Sequence, residues 1–348
     1  MIVSPPTPPP FPVPSSASVI RLPADHYLHP GAPTEWWWHM GTLKAGDKTY
    51  GFEINAASFS VMAFTQIMLT DVSNKEHYKQ TKVYAPFPAD WAESDPAKPW
   101  YARLGDPTTD AYATMNAPQS DPSRNMVVEA SFVDETTGTI VKFSLKLSQE
   151  GPPFIVRGSG VTPTPEVPGG VQKNNYYYSL TRLHVSGTVT IGGGEPIAVK
   201  GVTWMDHEYG LFGTSEHPVK WFLQDMQLDI GVHISNFTVF SGTPPTLDVA
   251  FPSQATVQFA DGTTYFETDC TLTPTGRTWT SSKGVLFYLE FKIEIPAFAA
   301  HFTVTSLVDD QDFPFPVGQV DTYEGVAVAS GKFMGHDVHC TAWNEQNP

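Results

Sequence analysis

The chain has 348 residues, of which 41% are hydrophobic and 16% are charged, and this is enough apolar material for two domains of ordinary size. Its 20 basic and 36 acidic side chains give a net charge of -16. Such an acidic surface repels phosphate backbones and anionic lipids, so nucleic acid is not expected as a partner. No apolar run has the length of a membrane span, so stable membrane insertion is not expected either.

The N-terminal segment is rich in proline, and residues 1–18 are predicted to form a disordered arm. The segment has neither the basic start nor the uninterrupted apolar stretch of a signal peptide, which favours a cytoplasmic location. The periplasm or secretion is the alternative if a leader has been removed. The two cysteines, Cys270 and Cys340, are too few for a disulfide framework, and two unpaired thiols are favoured over a bridge.

From residue 35 onward the sequence consists of short alternating segments separated by turns. Residues 126–133 and 140–147 alternate in polarity on either side of Gly138, and residues 184–191 and 196–202 do so around a run of three glycines. The 32 prolines and 27 glycines interrupt the chain too often for amphipathic helices. The fold class is therefore predicted as all-β, with two barrel-like domains at residues 19–200 and 201–348. Residues 85–122 are interpreted as a long irregular insertion that could serve as a lid.

One candidate functional segment is a strand with three consecutive tryptophans between two ionisable residues. Its residues are Glu35, Trp36, Trp37, Trp38 and His39. On a regular strand Trp37 shares a face with Glu35 and His39, whereas Trp36 and Trp38 share the other face. This pattern predicts either an aromatic wall with acid or base groups beside it or ordinary core aromatics.

A second candidate segment has three consecutive ionisable residues between aromatic ones. Its residues are Trp204, Met205, Asp206, His207, Glu208 and Tyr209. Aromatic walls remove water from a carboxyl group and raise its pKa, so that it can hold a proton near neutral pH and donate it. The alternative is structural ion pairing of Asp206 or Glu208 with Arg182 or Lys220.

A third segment, residues 174–183, contains Tyr177, and its alternation places Tyr178 and Arg182 on one face. Arg182 is predicted either to bind a substrate group or to act as a structural clamp. A metal is not expected anywhere in the chain. His336, His339 and Cys340 are close in sequence, but their side chains diverge on a strand.

The order of these motifs resembles the lipocalin-like AttH/CrtC family, which includes the carotenoid (hydroxyneurosporene) hydratases. The resemblance rests on Glu35-Trp36-Trp37, on residues 177–183, on residues 204–210 and on Thr322-Tyr323-Glu324-Gly325. It implies two tandem lipocalin-like β-barrels over about residues 30 to 345. Tyr209 stands where the family usually has tryptophan, so the substrate is not implied by the resemblance.

The leading functional hypothesis is a cofactor-independent enzyme that hydrates, dehydrates, isomerises or cyclises a C=C bond in a terpenoid or polyketide-like molecule. Asp206 would donate the proton in a pocket between the barrels, with His207 and Glu208 beside it, and Glu35 or His39 would activate water. The substrate would contact an aromatic and cationic set, namely Trp36, Trp37, Trp38, Tyr177, Tyr178, Arg182, Trp204 and Tyr209. The alternatives are a pericyclase acting on a polyene and a binding protein for a hydrophobic ligand. The oligomeric state is not predicted.

Overall fold

The computed structural model describes residues 18–59, 61–117, 121–213, 219–316 and 321–348. The predicted N-terminal arm lies outside the described residues except for Ser18. The described residues form strands, turns and three short 3-10 helices, Ala24–His26, Gly170–Gln172 and Pro296–Phe298, without an α-helix. Among these residues there is no helix of the length and apolarity that crossing a membrane requires.

The first group of strands lies within residues 34–210. These strands are β1 (Thr34–Ala45), β2 (Lys48–Phe59), β3 (Met62–Asp71), β4 (Glu76–Tyr84), β5 (Tyr101–Gly105), β6 (Tyr112–Asn116), β7 (Asn125–Val133), β8 (Ile140–Gln149), β9 (Phe154–Ile155), β10 (Val161–Thr162), β11 (Asn175–Ile191) and β12 (Ile197–Gly210). The second group covers the rest: β13 (Lys220–Leu228), β14 (His233–Phe240), β15 (Phe251–Gln258), β16 (Thr264–Thr280), β17 (Leu286–Ile295), β18 (Ala300–Ser306), β19 (Asp312–Pro314), β20 (Asp321–Phe333) and β21 (His336–Asn347).

The N-terminal unit comprises Val19–Pro153 and Gly160–Phe212, and its sheet has the strand order β4-β3-β2-β1-β12-β11-β8-β7-β6-β5. The sheet curls back on itself beside β4, where Glu135 N–H donates to Lys79 O at 3.0 Å. The Asp134 carboxylate in turn accepts the Lys79 N–H at 2.8 Å. These bonds satisfy part of the β4 edge, which would otherwise be open to pairing with other chains.

The C-terminal unit contains Phe154–Ser159 and Gly213–Pro348. Its strands follow the order β18-β17-β16-β15-β14-β13-β21-β20-β19, and an additional pairing of β18 with β20 closes them into a barrel. Large apolar side chains fill this barrel, among them Phe222, Phe259, Phe291, Phe298 and Phe333. The prediction of an all-β fold with two barrel-like sheets is confirmed.

The structure differs from the sequence interpretation in one domain boundary and in one segment. The units divide after Phe212 and not at residue 200, because β12 runs unbroken to Gly210 and pairs with β1 and β11 of the N-terminal unit. The supposed irregular insertion at residues 85–122 contains β5 and β6, which join the sheet, and two buried tryptophans, Trp91 and Trp100. Its proline and alanine content concealed these short strands.

Burial distinguishes the strands that carry the candidate residues from ordinary barrel strands. β8 alternates between buried and exposed positions along nearly its whole length, as expected for a strand with one solvated face. By contrast, every residue of β12 from Thr203 to Gly210 is buried, and both faces of β1 are buried at Thr34–Trp37. Polar side chains on both buried faces therefore require partners in the protein.

Candidate active site

Three adjacent strands bring the candidate segments together. β12 lies between β1 and β11, with His207 opposite Trp37 on one side and Tyr178 on the other. Gly210 is the last residue of β12 that pairs with both β1 and β11. Its φ is +115°, and a Cβ there would lie 2.1 Å from the Asn174 carbonyl oxygen. A side chain at position 210 would push β11 away, so glycine is required at this point.

The alternation of these strands separates the candidate residues into two faces of the sheet. The Asp206 face carries Trp36, Trp38, Tyr177, Ser179, Trp204, Asp206 and Glu208. The His207 face carries Glu35, Trp37, His39, Tyr176, Tyr178, His207 and Tyr209. The structure confirms that Trp37 shares a face with Glu35 and His39 whereas Trp36 and Trp38 lie on the other.

This separation corrects the arrangement expected from the sequence. Asp206 and the two groups expected to activate water beside it, Glu35 and His39, lie on opposite faces and cannot act on one bond of a substrate. His39 is fully buried, neither ring nitrogen has a hydrogen-bond partner among the described residues, and burial lowers its pKa to about 3. Trp37 is also fully buried and stacks on His207, with ring centroids 4.7 Å apart, so it forms no wall beside Asp206.

Arg182 also departs from its expected place. A β-bulge between Leu180 and Leu183 interrupts the pairing of β11 with β12, so the alternation that placed Arg182 beside Tyr178 does not reach it. Its backbone N–H donates to the Gln149 side chain at 3.1 Å, and the residue is half-buried. Burial lowers the pKa of its guanidinium, against the opposing effect of Glu150.

The Asp206 carboxylate is buried and accepts several hydrogen bonds. The Trp204 Nε1–H donates a hydrogen bond to it at 2.7 Å, and the Ser179 hydroxyl donates another. The Tyr177 side chain also forms a hydrogen bond with it. Burial raises the pKa of Asp206 to about 6, because the loss of hydration outweighs these three donors. No lysine or arginine of the described residues forms an ion pair with Asp206, which argues against structural ion pairing for this one of the two carboxyl groups.

The rest of the Asp206 face is aromatic and acidic. Glu208 is buried and accepts a hydrogen bond from Asn175 Nδ2. Trp38 lies directly opposite Asp206 in β1, and its buried Nε1–H has no acceptor among the described residues. Trp36 packs against Trp38 edge to face, with ring centroids 6.5 Å apart. This face therefore combines two carboxyl groups two residues apart with aromatic rings and one unused hydrogen-bond donor.

The His207 face holds a chain of hydrogen bonds that sequence reasoning missed. His207 Nε2 lies 3.1 Å from Glu35 Oε1, and its Nδ1 lies 3.2 Å from the Tyr178 hydroxyl. The same hydroxyl lies 2.6 Å from His26 Nδ1. Burial lowers the pKa of His207 despite the neighbouring carboxylate, so the ring is neutral and its Nε2–H donates to Glu35. Tyr178 O–H then donates to His207 Nδ1 and accepts from His26 Nδ1–H.

His29 completes this network from the segment that precedes β1. Its Nδ1 lies 2.9 Å from Glu35 Oε1, and its ring stacks on Tyr209 with centroids 3.5 Å apart. Burial alone would lower the pKa of His29, but its contacts with Asp25 and Glu35 outweigh burial and raise it to about 9. For Glu35 the signs are reversed: burial alone would raise the pKa of this carboxyl group, but the hydrogen bonds from His207 and His29 outweigh burial and lower it. The only sequence signal for His26 and His29 is their position just upstream of Glu35.

Comparison with known proteins places the chain in a family. A sequence model of the AttH-like family matches residues 13–340. A protein of Nitrosomonas europaea described as AttH has a solved structure that is 20% identical, with a TM-score of 0.73 over 96% of this chain and 98% of its own. Kievitone hydratase from Nectria haematococca is 17% identical, with a TM-score of 0.71 over 96% of both chains.

A third solved structure, that of CghA, is more distant. It is 11% identical, with a TM-score of 0.53 over 95% of this chain and 93% of its own. At these identities the structural similarities establish a shared fold. Among curated proteins, none matches the sequence. Because the family match extends over nearly the whole sequence, the chain belongs to the AttH-like family.

Proposed function

We propose that this protein is an enzyme that adds water across a C=C bond of a hydrophobic unsaturated small molecule of terpenoid or polyketide type, or eliminates water from an alcohol to form such a bond. The observation that carries the proposal is the buried carboxyl group of Asp206 on an aromatic face. Family membership and the fold shared with kievitone hydratase are consistent with this reaction class. The reaction needs a proton donor and a proton acceptor, and both are present on the Asp206 face.

Asp206 is suited to be the proton donor because burial holds its pKa at about 6. At pH 7 roughly 10% of such a group is protonated, against less than about 0.1% of an exposed aspartate. Donation from a positioned acid contributes about 10²–10⁴-fold to a rate. An isolated alkene is weakly basic, so a buried acid without a nearby counterion suits this step better than a solvated one.

Glu208 is the proton acceptor on the same face, in place of Glu35 and His39. Residues two apart on a strand point to the same side, with Cα atoms about 7 Å apart, so the two carboxyl groups can act on one substrate. Asp206 transfers its proton to one alkene carbon, and the water oxygen bonds to the carbocation at the other. Glu208 accepts the proton that the water loses, and exchange through solvent returns a proton to Asp206. The net change is the addition of one water.

The aromatic side chains on this face support the same reaction. Ring faces stabilise a developing carbocation through their quadrupole, and Trp38 lies directly opposite Asp206. Its Nε1–H, which has no acceptor among the described residues, is available to bind the oxygen of water or of a hydroxylated product.

The test combines identification of a substrate with one matched pair of variants. The enzyme is incubated in H₂¹⁸O with compounds extracted from the purified protein and with a panel of isoprenoid and prenylated alkenes. The products are analysed by mass spectrometry. We expect one labelled oxygen in the product formed by the wild type and in that formed by the control variant Glu129→Gln, which changes an exposed position of β7. Asp206→Asn should lose at least about 10²-fold in rate while remaining folded.

Other outcomes would support the remaining hypotheses. A product isomeric with its substrate, formed equally fast by Asp206→Asn, would indicate a pericyclic closure without proton transfer. A bound compound recovered unchanged after prolonged incubation would indicate a ligand-binding protein. Either outcome would contradict the proposed hydration.

A further inference from the structure

Three potential metal ligands meet on the His207 face, and the proposed function uses none of them. They come from three separate parts of the chain: His29 before β1, Glu35 at the start of β1, and His207 near the end of β12. One ligand atom from each lies within 4.8 Å of the other two. The sheet separates this group from Asp206, so it constitutes a second site.

The distances in this group fit a transition-metal ion. Glu35 Oε1 lies 2.9 Å from His29 Nδ1 and 3.1 Å from His207 Nε2. Two ligands at right angles around an ion, each about 2.1 Å from it, are about 3.0 Å apart. Two imidazole nitrogens and one carboxylate oxygen form a donor set that binds divalent transition metals and leaves further coordination positions for water.

The outer contacts of the two histidines are also those of metal ligands. A ligating imidazole directs its second nitrogen to an oxygen atom, which fixes its orientation. His207 Nδ1 lies at hydrogen-bond distance, 3.2 Å, from the Tyr178 hydroxyl, and His29 Nε2 faces the Asp25 carboxylate at 3.9 Å, which is an ion-pair contact longer than a hydrogen bond. The second oxygen of Glu35 accepts the His29 backbone N–H at 2.9 Å, which holds the carboxylate in place and leaves Oε1 towards the two rings.

Access to the site is from the side of His29. Glu35 and His207 are fully buried, but 20% of the His29 side chain is exposed. The ring of His29 is stacked almost parallel on Tyr209, with an angle of 3° between the planes, so this outermost ligand is also held in a fixed orientation. His29 is therefore the ligand through which the group is nearest to solvent.

We propose that His29, Glu35 and His207 bind one divalent transition-metal ion, of the class of Zn²⁺, Co²⁺, Mn²⁺ or Fe²⁺. This proposal departs from the sequence analysis, which expected no metal. It goes beyond the proposed hydration and does not depend on it, because the two sites lie on opposite faces of the sheet.

The test measures binding directly and needs no substrate. Untagged protein is stripped with EDTA and dialysed, then titrated with Co²⁺ while visible d–d absorption and thermal unfolding are recorded. We expect one equivalent of Co²⁺ per chain, a d–d spectrum that reports nitrogen and oxygen ligands, and a higher melting temperature in excess metal. His29→Ala, at a partly exposed position, should remain folded and weaken binding by about 100-fold or more.

The matched control is His184→Ala. His184 also faces a carboxylate, with Nε2 2.7 Å from Glu150 Oε2, but this pair is exposed and lies outside the three-ligand group. Binding by this variant should equal that of the wild type. Glu35→Gln provides a second ligand variant, with circular dichroism to confirm that it is folded. Absence of Co²⁺ binding by the wild type, or equal affinity in the wild type and His29→Ala, would overturn the proposal.

Discussion

Asp206 and His207 are consecutive residues of β12, yet their side chains lie on opposite faces of the sheet and belong to different networks. Asp206 accepts hydrogen bonds from Ser179 and Trp204, whereas His207 lies between Glu35 and Tyr178. The sheet thus separates a buried acid from a buried network of histidines and a carboxylate. The two networks can therefore be perturbed independently.

The pH dependence of catalysis should report the protonation of Asp206. Because only the protonated carboxyl group can donate, kcat/KM should fall about tenfold per pH unit above pH 6. The Ser179 hydroxyl stabilises the ionised form of Asp206, so Ser179→Ala should raise the pKa of Asp206. The pH at which kcat/KM begins to fall (the basic limb of the profile) should then increase by about one pH unit. Ser131→Ala, a buried serine of β7, serves as the control. A limb at the same pH in all three proteins would contradict the assignment of the acid.

Asp206→Asn should change how stability depends on pH. A carboxyl group whose pKa is raised from 3.8 to about 6 by folding keeps its proton longer in the folded state than in the unfolded state. Its ionisation therefore destabilises the fold progressively between these pH values. Between pH 4.5 and 7.5 the wild type should lose about 2 kcal/mol in the free energy of unfolding relative to Asp206→Asn. Urea denaturation at both pH values measures this difference. A constant difference would show that the carboxyl group is solvated.

Tyr178→Phe should destabilise the protein strongly. The hydroxyl bridges His26 and His207, and its removal leaves two buried ring nitrogens without partners, at a cost of about 2–4 kcal/mol. Tyr50→Phe is the matched control because the Tyr50 hydroxyl is buried and has no hydrogen-bond partner among the described residues. Its loss should be neutral within about 1 kcal/mol or stabilising. Equal effects of the two substitutions, measured by chemical denaturation, would argue against the hydrogen-bond chain.

His29→Gln should remove a stabilising contribution that depends on pH in protein stripped of divalent cations. His29 faces Asp25, Glu35 and His207, and these surroundings raise its pKa from 6.5 to about 9. A raised histidine pKa stabilises the folded state fully below pH 6.5, and this stabilisation is lost as pH rises through 9. The difference between wild type and variant should be about 3 kcal/mol larger at pH 6 than at pH 10, as measured by urea denaturation. A difference that does not change with pH would mean that His29 and Glu35 are not paired.

The sequence by itself was sufficient to predict the fold class. Alternation with a period of two and glycine-containing turns predicted the hairpins of β7 with β8 and of β11 with β12, because both signals act over a few neighbouring residues. The same alternation correctly placed Trp37 on one face and Trp36 with Trp38 on the other. The motifs around Glu35, Tyr177 and Asp206 were sufficient for the family.

The tertiary structure alone decided which candidate residues share a site. The pairing of β1 with β12 puts Glu35 and His39 on the face opposite to Asp206, and this register depends on contacts between residues about 170 positions apart. Likewise, His26 and His29 precede the first strand with no local pattern that links them to His207 or Tyr178. Local periodicity determines which way a side chain points from its own strand. Only the packing of distant segments determines what it meets there, and hence which groups share the chemistry.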